Sequence, residues 1–244
     1  MRVFLLDRTF SGESIYYTLK KREVQYLEKV LRLEEGTVFT AKDIRENYYR
    51  ATILPGGNLS LEPTENPEET LLDSLSGYRS TFAPIDMYVS LLKGKKNETV
   101  VRALTEIGVR RIVFVRSTYC QEKDLSAHDR ERLDVILSEA VQQCGGKAPS
   151  LEGPVDFDEA LGKAEGKVLL LHQALRGSTL SLRDIAFDKD GVVSCFIGPE
   201  GGFSDDECEM AEEAGAVPVL LRTNILRAET SSIYTAAAIQ TLLH

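Results

Sequence analysis

Two short stretches towards the carboxyl terminus of the 244-residue chain carry residue types that do chemistry: Gly198-Pro199-Glu200-Gly201-Gly202, and Asn224-Ile225-Leu226-Arg227-Ala228-Glu229-Thr230. In the first, the glycines leave main-chain groups bare for close approach to a ligand. Ser204, followed three residues later by Glu207, forms a capping box that starts a helix directly after them. The preceding VVSCFI is a continuously apolar run, the pattern of a buried parallel strand. The turn therefore joins strand to helix at the carboxyl edge of a sheet, where α/β proteins bind ligands. It matches neither G-x-G-x-x-G nor G-x-x-x-x-G-K-[ST], and it contains no lysine. Glu200, Asp205, Asp206 and Glu207 occupy the electropositive helix end that a phosphate would need. The expected ligand is neutral or cationic and offers groups to the main chain.

S-adenosylmethionine has that character, with a sulfonium, an adenine and no phosphate. The same glycines would equally serve a tight turn that binds nothing. The second stretch leaves the apolar run VPVLL as the first leaves VVSCFI, so both loops are expected at one sheet edge, enclosing one site. Arg227 stands mid-loop as a fixed cation with no helix end to serve, whereas Glu229 and Thr230 would also fit as caps of the last helix. Among other classes, a nucleotide-binding oxidoreductase is disfavoured by the acidic helix start, and an RNA-binding module without catalysis stays open.

These loops need a scaffold. From about Ser80 the chain alternates: DMYVSLL, then the helix ETVVRALTEIGV closed by Gly108; RIVFVRS, then the helix DRERLDVILSEAVQQC ending at Gly145-Gly146. KVLLLHQ, VVSCFIG and VPVLL follow as apolar strands, and the last helix runs from about Glu229 to Leu243. This alternation predicts a parallel sheet with helical crossovers. Residues 1–63 read instead as short strands: RVFLL, SIYYTL, TVFTAKD, then YYRATIL and LSLEP joined by Pro55-Gly56-Gly57-Asn58. One helix, Glu23 to Leu33, interrupts them, with Val24, Leu27, Val30 and Leu31 on one face. A small barrel is expected, then a linker in EPTENPEETLLDSLSG, giving domains 1–73 and 74–244.

Net charge is −9, against a protein coated in nucleic acid, but its distribution is uneven. Residues 1–73 hold 10 basic and 13 acidic side chains, residues 74–152 hold 12 and 10, and residues 153–244 hold 7 and 15. Lys20, Lys21, Arg22, Lys29 and Arg32, then Lys93, Lys95, Lys96, Arg102, Arg110, Arg111 and Arg116, would make a basic surface if the fold gathers them; otherwise they are ordinary solvated charges. The four cysteines and three histidines show no disulfide or metal-ligand spacing, so no metal is expected. Val3-Phe4-Leu5-Leu6 is followed at once by Asp7 and Arg8, unlike a secretion signal, and no apolar stretch would span a bilayer. A cytoplasmic protein is expected.

GPEGGFS with a downstream glutamate, then ILRAET before a small-residue helix, resembles the RsmE family of ribosomal RNA uridine-N3 methyltransferases of the SPOUT superfamily. VLRL at 30–33, LLKG at 91–94, LTEIGV at 104–109 and EAVQQCGG at 139–146 add to the resemblance in the same order. It implies an α/β fold with a SPOUT-type parallel sheet and a carboxyl-terminal trefoil knot, plus a small amino-terminal PUA-like β-barrel that grips RNA. It also implies a homodimer acting on 16S rRNA or the small ribosomal subunit with S-adenosylmethionine. The cofactor would lie against Leu171, Gly198, Gly201, Gly202, Leu221, Ile225, Leu226 and Thr230, and the RNA against Arg22, Lys29, Arg32, Lys93, Lys95 and Arg102. Uridine N3 must lose its proton to become a nucleophile, so Arg227 is expected to stabilise the resulting anion, with Glu200 or Glu229 near enough to take the proton.

Overall fold

Residues 3–10, 15–30, 32–65, 82–172, 179–188 and 190–243 are described by a computed structural model. The chain divides into two compact units, Met1–Thr81 with Val141–Gly145, and Phe82–Ala140 with Gly146–His244. The expected boundary at residues 73 and 74 lies outside the described residues.

In the larger unit the continuously apolar runs become strands covered on both sides. β6 (Ile85–Ser90), β7 (Arg111–Arg116), β8 (Ser150–Asp156), β9 (Lys167–Leu171), β10 (Val193–Ile197) and β11 (Val217–Val219) form one sheet in the order β11-β9-β10-β6-β7-β8. Every pairing in it is parallel. Between them come helices at Lys96–Ile107 (α2), Ala127–Cys144 (α3), Phe157–Gly162 (α4), Asp205–Glu213 (α5) and Ala228–Leu243 (α6). On one sheet face Met87, Val89, Leu169 and Ile197 pack with Val100 and Leu104 of α2 and Ala236 and Ile239 of α6. On the other, Tyr88 and Phe196 stack with ring centroids 4.5 Å apart, and Phe157, Phe203, Cys208 and Ala211 close over them. Each such buried large side chain contributes roughly 1.5–3 kcal/mol, so truncating Ile239 to alanine would cost about 2–5 kcal/mol.

β8 and α4 were not expected from the sequence. β8 reads SLEGPVD, half-buried along most of its length, and its pairing with β7 slips between Val113 and Val115, so it has neither an apolar run nor a clean alternation. α4 has six residues, too few to show a helical period.

In the smaller unit β1 (Phe4–Leu5), β2 (Ile15–Thr18), β3 (Val38–Lys42), β4 (Tyr48–Leu54) and β5 (Asn58–Thr64) form a curled half-barrel sheet in the order β1-β3-β4-β5-β2. Alternation puts Tyr17, Ala41, Tyr49, Ala51, Ile53, Leu59 and Leu61 inside. The expected helix over Glu23–Leu33 is corrected: α1 covers Lys21–Gln25 and runs into a wider π-type turn at Tyr26–Val30. It starts early because the Glu23 carboxylate reaches back to accept the Lys20 N–H at 2.6 Å, and also takes the Tyr17 hydroxyl at 2.7 Å. Arg32, in the left-handed region at φ 54°, follows the turn; Leu31 lies outside the described residues. The expected linker likewise begins later, since β5 runs on through Pro63 to Thr64. Its neighbour β2 stops pairing at Leu61, so the absent proline N–H is not needed on that side. Lys42, 3 % exposed, donates from Nζ to the Gly145 carbonyl at 3.3 Å, holding the Val141–Gly145 stretch within this unit.

Candidate active site

In the larger unit, β6 leads through α2 to β7 on one side, whereas its neighbour β10 leads through α5 to β11 on the other. Adjacent strands that send their connections apart leave a crevice at their carboxyl ends, the ordinary ligand site of open parallel sheets. Among the described residues, loops 91–95 after β6, 117–126 after β7, 198–204 after β10 and 220–227 after β11 meet this edge.

The glycine-rich loop is built as its residues demand. Gly198 is buried directly after β10, and Gly202 takes φ +74°, a region that suits glycine. A Cβ on Gly201 would come 3.0 Å from Cβ of Tyr119. Ser204 caps α5: its Oγ accepts the Glu207 N–H at 3.2 Å, and its own N–H donates to Glu207 Oε2 at 2.8 Å. Glu207, 6 % exposed, also accepts the Thr118 N–H through Oε1 at 2.8 Å, tying the loop after β7 to the loop after β10.

Glu200 does not serve the start of α5, as the sequence suggested. Its carboxylate pairs instead with the Lys96 ammonium at the first turn of α2. Two lysines, Lys95 and Lys96, open α2 where the helix dipole is least favourable to cations, and Glu200 compensates one of them. Partial burial pushes the Glu200 carboxyl up, but hydrogen bonds from Lys96 and from the backbone N–H groups of Glu200 and Lys93 outweigh it and hold the group below its ordinary range. The hydrogen bond to Glu200 raises the affinity of Lys96 for its proton; Glu229 adds to that and Arg227 opposes it, so all four charges share one neighbourhood.

Arg227 is not mid-loop. It immediately precedes α6, and its carbonyl accepts the Ser231 N–H at 2.8 Å, so its main chain serves the helix while its side chain stays exposed. Among the described residues its guanidinium meets no partner. Glu229 lies in the first turn of α6, half-buried, with Oε2 buried and unpartnered; Thr230 beside it is exposed.

Of the other residues singled out in the sequence, Leu171 ends β9 and is buried, Leu221 and Leu226 are half-buried, and Ile225 is exposed. Lys93 and Lys95 are exposed beside Lys96, whereas Arg102 sits further along α2, 3.7 Å from Glu139 of α3. Arg22, Lys29 and Arg32, in the smaller unit, are exposed on and just after its helical segment. The fold thus collects Glu200, Arg227 and Glu229 at one edge and adds Lys96 and Tyr119, which sequence reasoning did not place in the site. A pair of lysines at a helix start was the available signal for Lys96; nothing marked Tyr119. Among the described residues no group of three or more His, Cys, Asp or Glu is placed to hold a metal ion, and no helix is long and apolar enough to cross a membrane.

The sequence pattern of a family described as RNA methyltransferase domain matches residues 79–240. A relative from Synechocystis sp. named Ribosomal RNA small subunit methyltransferase E is 27% identical over 93% of this chain and 73% of its own length. Among solved structures, a Ribosomal RNA small subunit methyltransferase E from Neisseria gonorrhoeae, bound to S-adenosyl methionine, matches with a TM-score of 0.80 and 27% identity, covering 99% of this chain and 98% of its own. A methyltransferase from Legionella pneumophila, in complex with the bound cofactor SAM, matches with a TM-score of 0.82 and 25% identity, covering 98% and 97%.

Proposed function

Because the chain belongs to the RNA methyltransferase domain family, we propose that it transfers the methyl group of S-adenosylmethionine to N3 of a specific uridine in 16S (small-subunit) ribosomal RNA. The observation that carries this reading is the carboxyl edge at β6 and β10, whose connections part in opposite directions and where a glycine-rich turn without lysine lies beside the Lys96–Glu200 pair and Arg227, which meets no partner among the described residues. Relatives of the same overall fold that hold the donor support it.

The residues present fit that donor. The positive end of α5 is already filled by Asp205, Asp206 and Glu207, which disfavours a phosphate ester and tolerates a sulfonium. Gly198, Gly201 and Gly202 leave main chain accessible, while Leu171, Leu221, Ile225 and Leu226 supply apolar surface, and Thr230 a hydroxyl, around the same edge. When bound, the donor supplies an electrophilic methyl group on a positively charged sulfur.

The chain's own residues then have separable tasks. Arg227, a fixed cation with no partner among the described residues, stabilises the uridine anion whose charge spreads over O2 and O4, an effect worth roughly 10²–10³ in rate for one well-placed donor. Glu200 is committed to Lys96 and to backbone N–H groups, and being held below its ordinary range it is a poor proton acceptor. It keeps the start of α2 against the glycine-rich loop. Glu229, with one oxygen uncommitted, is the carboxylate left to receive the N3 proton. Exposed Arg22, Lys29, Arg32, Lys93 and Lys95 meet RNA phosphates, with Arg102 joining them at the expense of its pairing with Glu139.

The same reading carries a SPOUT-type trefoil knot within residues 74–244, a PUA-like RNA-gripping barrel within residues 1–73, and work in the cytoplasm. It also carries a homodimer, for which exposed Ile225, Tyr234 and Leu242 offer apolar surface on and before α6. Incubating the protein with small ribosomal subunits lacking the modification and labelled S-adenosylmethionine tests the whole. Label recovered by mass spectrometry as 3-methyluridine is expected; no label, or label on another base, overturns the reading.

A further inference from the structure

The turn after β7 presents an aromatic side chain that the proposed chemistry has not used. Tyr119 is 52% exposed and, with exposed Thr118, stands between Ser117 and Cys120, which are 1% and 6% exposed. The main chain around it is fastened from every side. Thr118 N–H donates to Glu207, Lys123 Nζ donates to the Ser117 and Thr118 carbonyls at 2.7 and 3.0 Å, and Cys120 N–H returns to the Ser117 carbonyl at 3.1 Å. Ser117 Oγ donates to Ser90 Oγ at 2.9 Å in the sheet below. On one side the Tyr119 Cβ faces Gly201, next in sequence to Glu200, closely enough that an added methyl there would meet it at 3.0 Å. Among the described residues its hydroxyl has no hydrogen-bond partner and its ring no aromatic neighbour. An aromatic ring on a rigid mount, half in solvent and touching the glycine-rich loop, is preorganised for a flat partner that arrives from outside.

We propose that Tyr119 is the platform on which the target uracil stacks once it has left the RNA helix. This rests on the reading of the chain as a uridine methyltransferase. A base modified at N3 has its reacting edge engaged in pairing while it is in a helix, so it must be unstacked and held elsewhere. Every base has a π-face, and an aromatic side chain replaces the lost stacking. Arg227 and Glu229 act on the charge and edge of the uracil, whereas Tyr119 acts on its face. Tyr119 is thus a positioning contact to substrate, and the phenol oxygen is not required.

The test uses a fragment of small-subunit RNA with 2-aminopurine immediately 3′ to the target uridine, whose fluorescence rises when its neighbour leaves the stack. With the wild-type protein, binding should raise fluorescence and methyl transfer should follow. Tyr119→Ala should lose most of that rise and increase KM for the RNA roughly ten- to hundredfold, with kcat at saturating RNA changed only a few-fold. S-adenosylmethionine affinity and sedimentation should stay as in wild type, and Tyr119→Phe should restore both fluorescence and KM. Wild-type fluorescence and KM in Tyr119→Ala would overturn the proposal, as would a change in subunit association, which would make Tyr119 a contact between chains. Failure of the underlying reading has a different signature: the wild-type protein itself then gives no label on uridine, and both fall together.

Discussion

The two edges of the six-stranded sheet hold similar charges to opposite ends. At the amino edge Asp86, fully buried at the start of β6, accepts from Arg110 Nε at 2.7 Å and from Arg111 Nε at 2.9 Å; Arg110 goes on to Glu165 at 2.9 Å and Arg111 to the Tyr88 hydroxyl at 3.0 Å. Hydrogen bonding to Asp86 holds the Arg110 guanidinium above its ordinary value, and burial pushes the Tyr88 phenol up to about 12. Each of these charges is answered. At the carboxyl edge Lys96 and Glu200 answer each other, as do Arg116 and Asp156 at the ends of β7 and β8, but among the described residues Arg227 meets no partner and Glu229 Oε2 accepts no hydrogen bond. A saturated network tells of structure. Groups left unanswered on rigid loops point to a partner that comes from outside.

If that contrast is right, damage at the two edges should separate stability from activity. Asp86→Ala strands two arginines and should lower unfolding free energy by about 3–5 kcal/mol in a denaturant titration, with methyl transfer per folded molecule retained. Arg227→Ala should do the reverse, reducing kcat by about 10²–10³ while leaving the thermal midpoint in place. A comparable loss of stability in Arg227→Ala would erase the distinction. Reversing Lys29 and Arg32 to glutamate should weaken RNA binding and flatten its dependence on the logarithm of salt concentration, by about 0.7–0.9 in slope for each phosphate no longer neutralised. An unchanged slope would return both residues to ordinary surface. The smallest effect is expected from the Lys96–Glu200 pair. A carboxyl whose folded-state pKa lies below its unfolded value adds stability that is complete above the ordinary 4.5 and fades as pH falls through the folded value. Lys96→Met should therefore flatten the acid side of the stability profile, and an unaltered profile would mean that the pair contributes nothing measurable.

Much of this was legible in the chain. YYRATIL is β4 to the residue, Gly108 closes α2, and the Ser204–Glu207 capping box places α5 where the sequence put it. These features are local: a period, a left-handed glycine, a side chain reaching three residues. The candidate site was legible as two loops, because each follows an apolar run that can only be a buried strand. What could not be read is what depends on distance. The partner of Glu200 lies 104 residues away on α2, and nothing in GPEGG says that its acid turns from α5 to Lys96. Strand order was hidden for the same reason, and with it the crevice between β6 and β10. Arg227 was misread because the start of α6 falls at Ala228, one residue after it, and no capping side chain announces it.

Glu207 links residues 89 apart through one buried carboxylate, one oxygen holding its own helix start and the other holding the turn after β7. The two banks of the crevice are in this way hinged together. The glycine-rich strip and the neighbouring turn thus share one fastening, so a single substitution at Glu207 releases both.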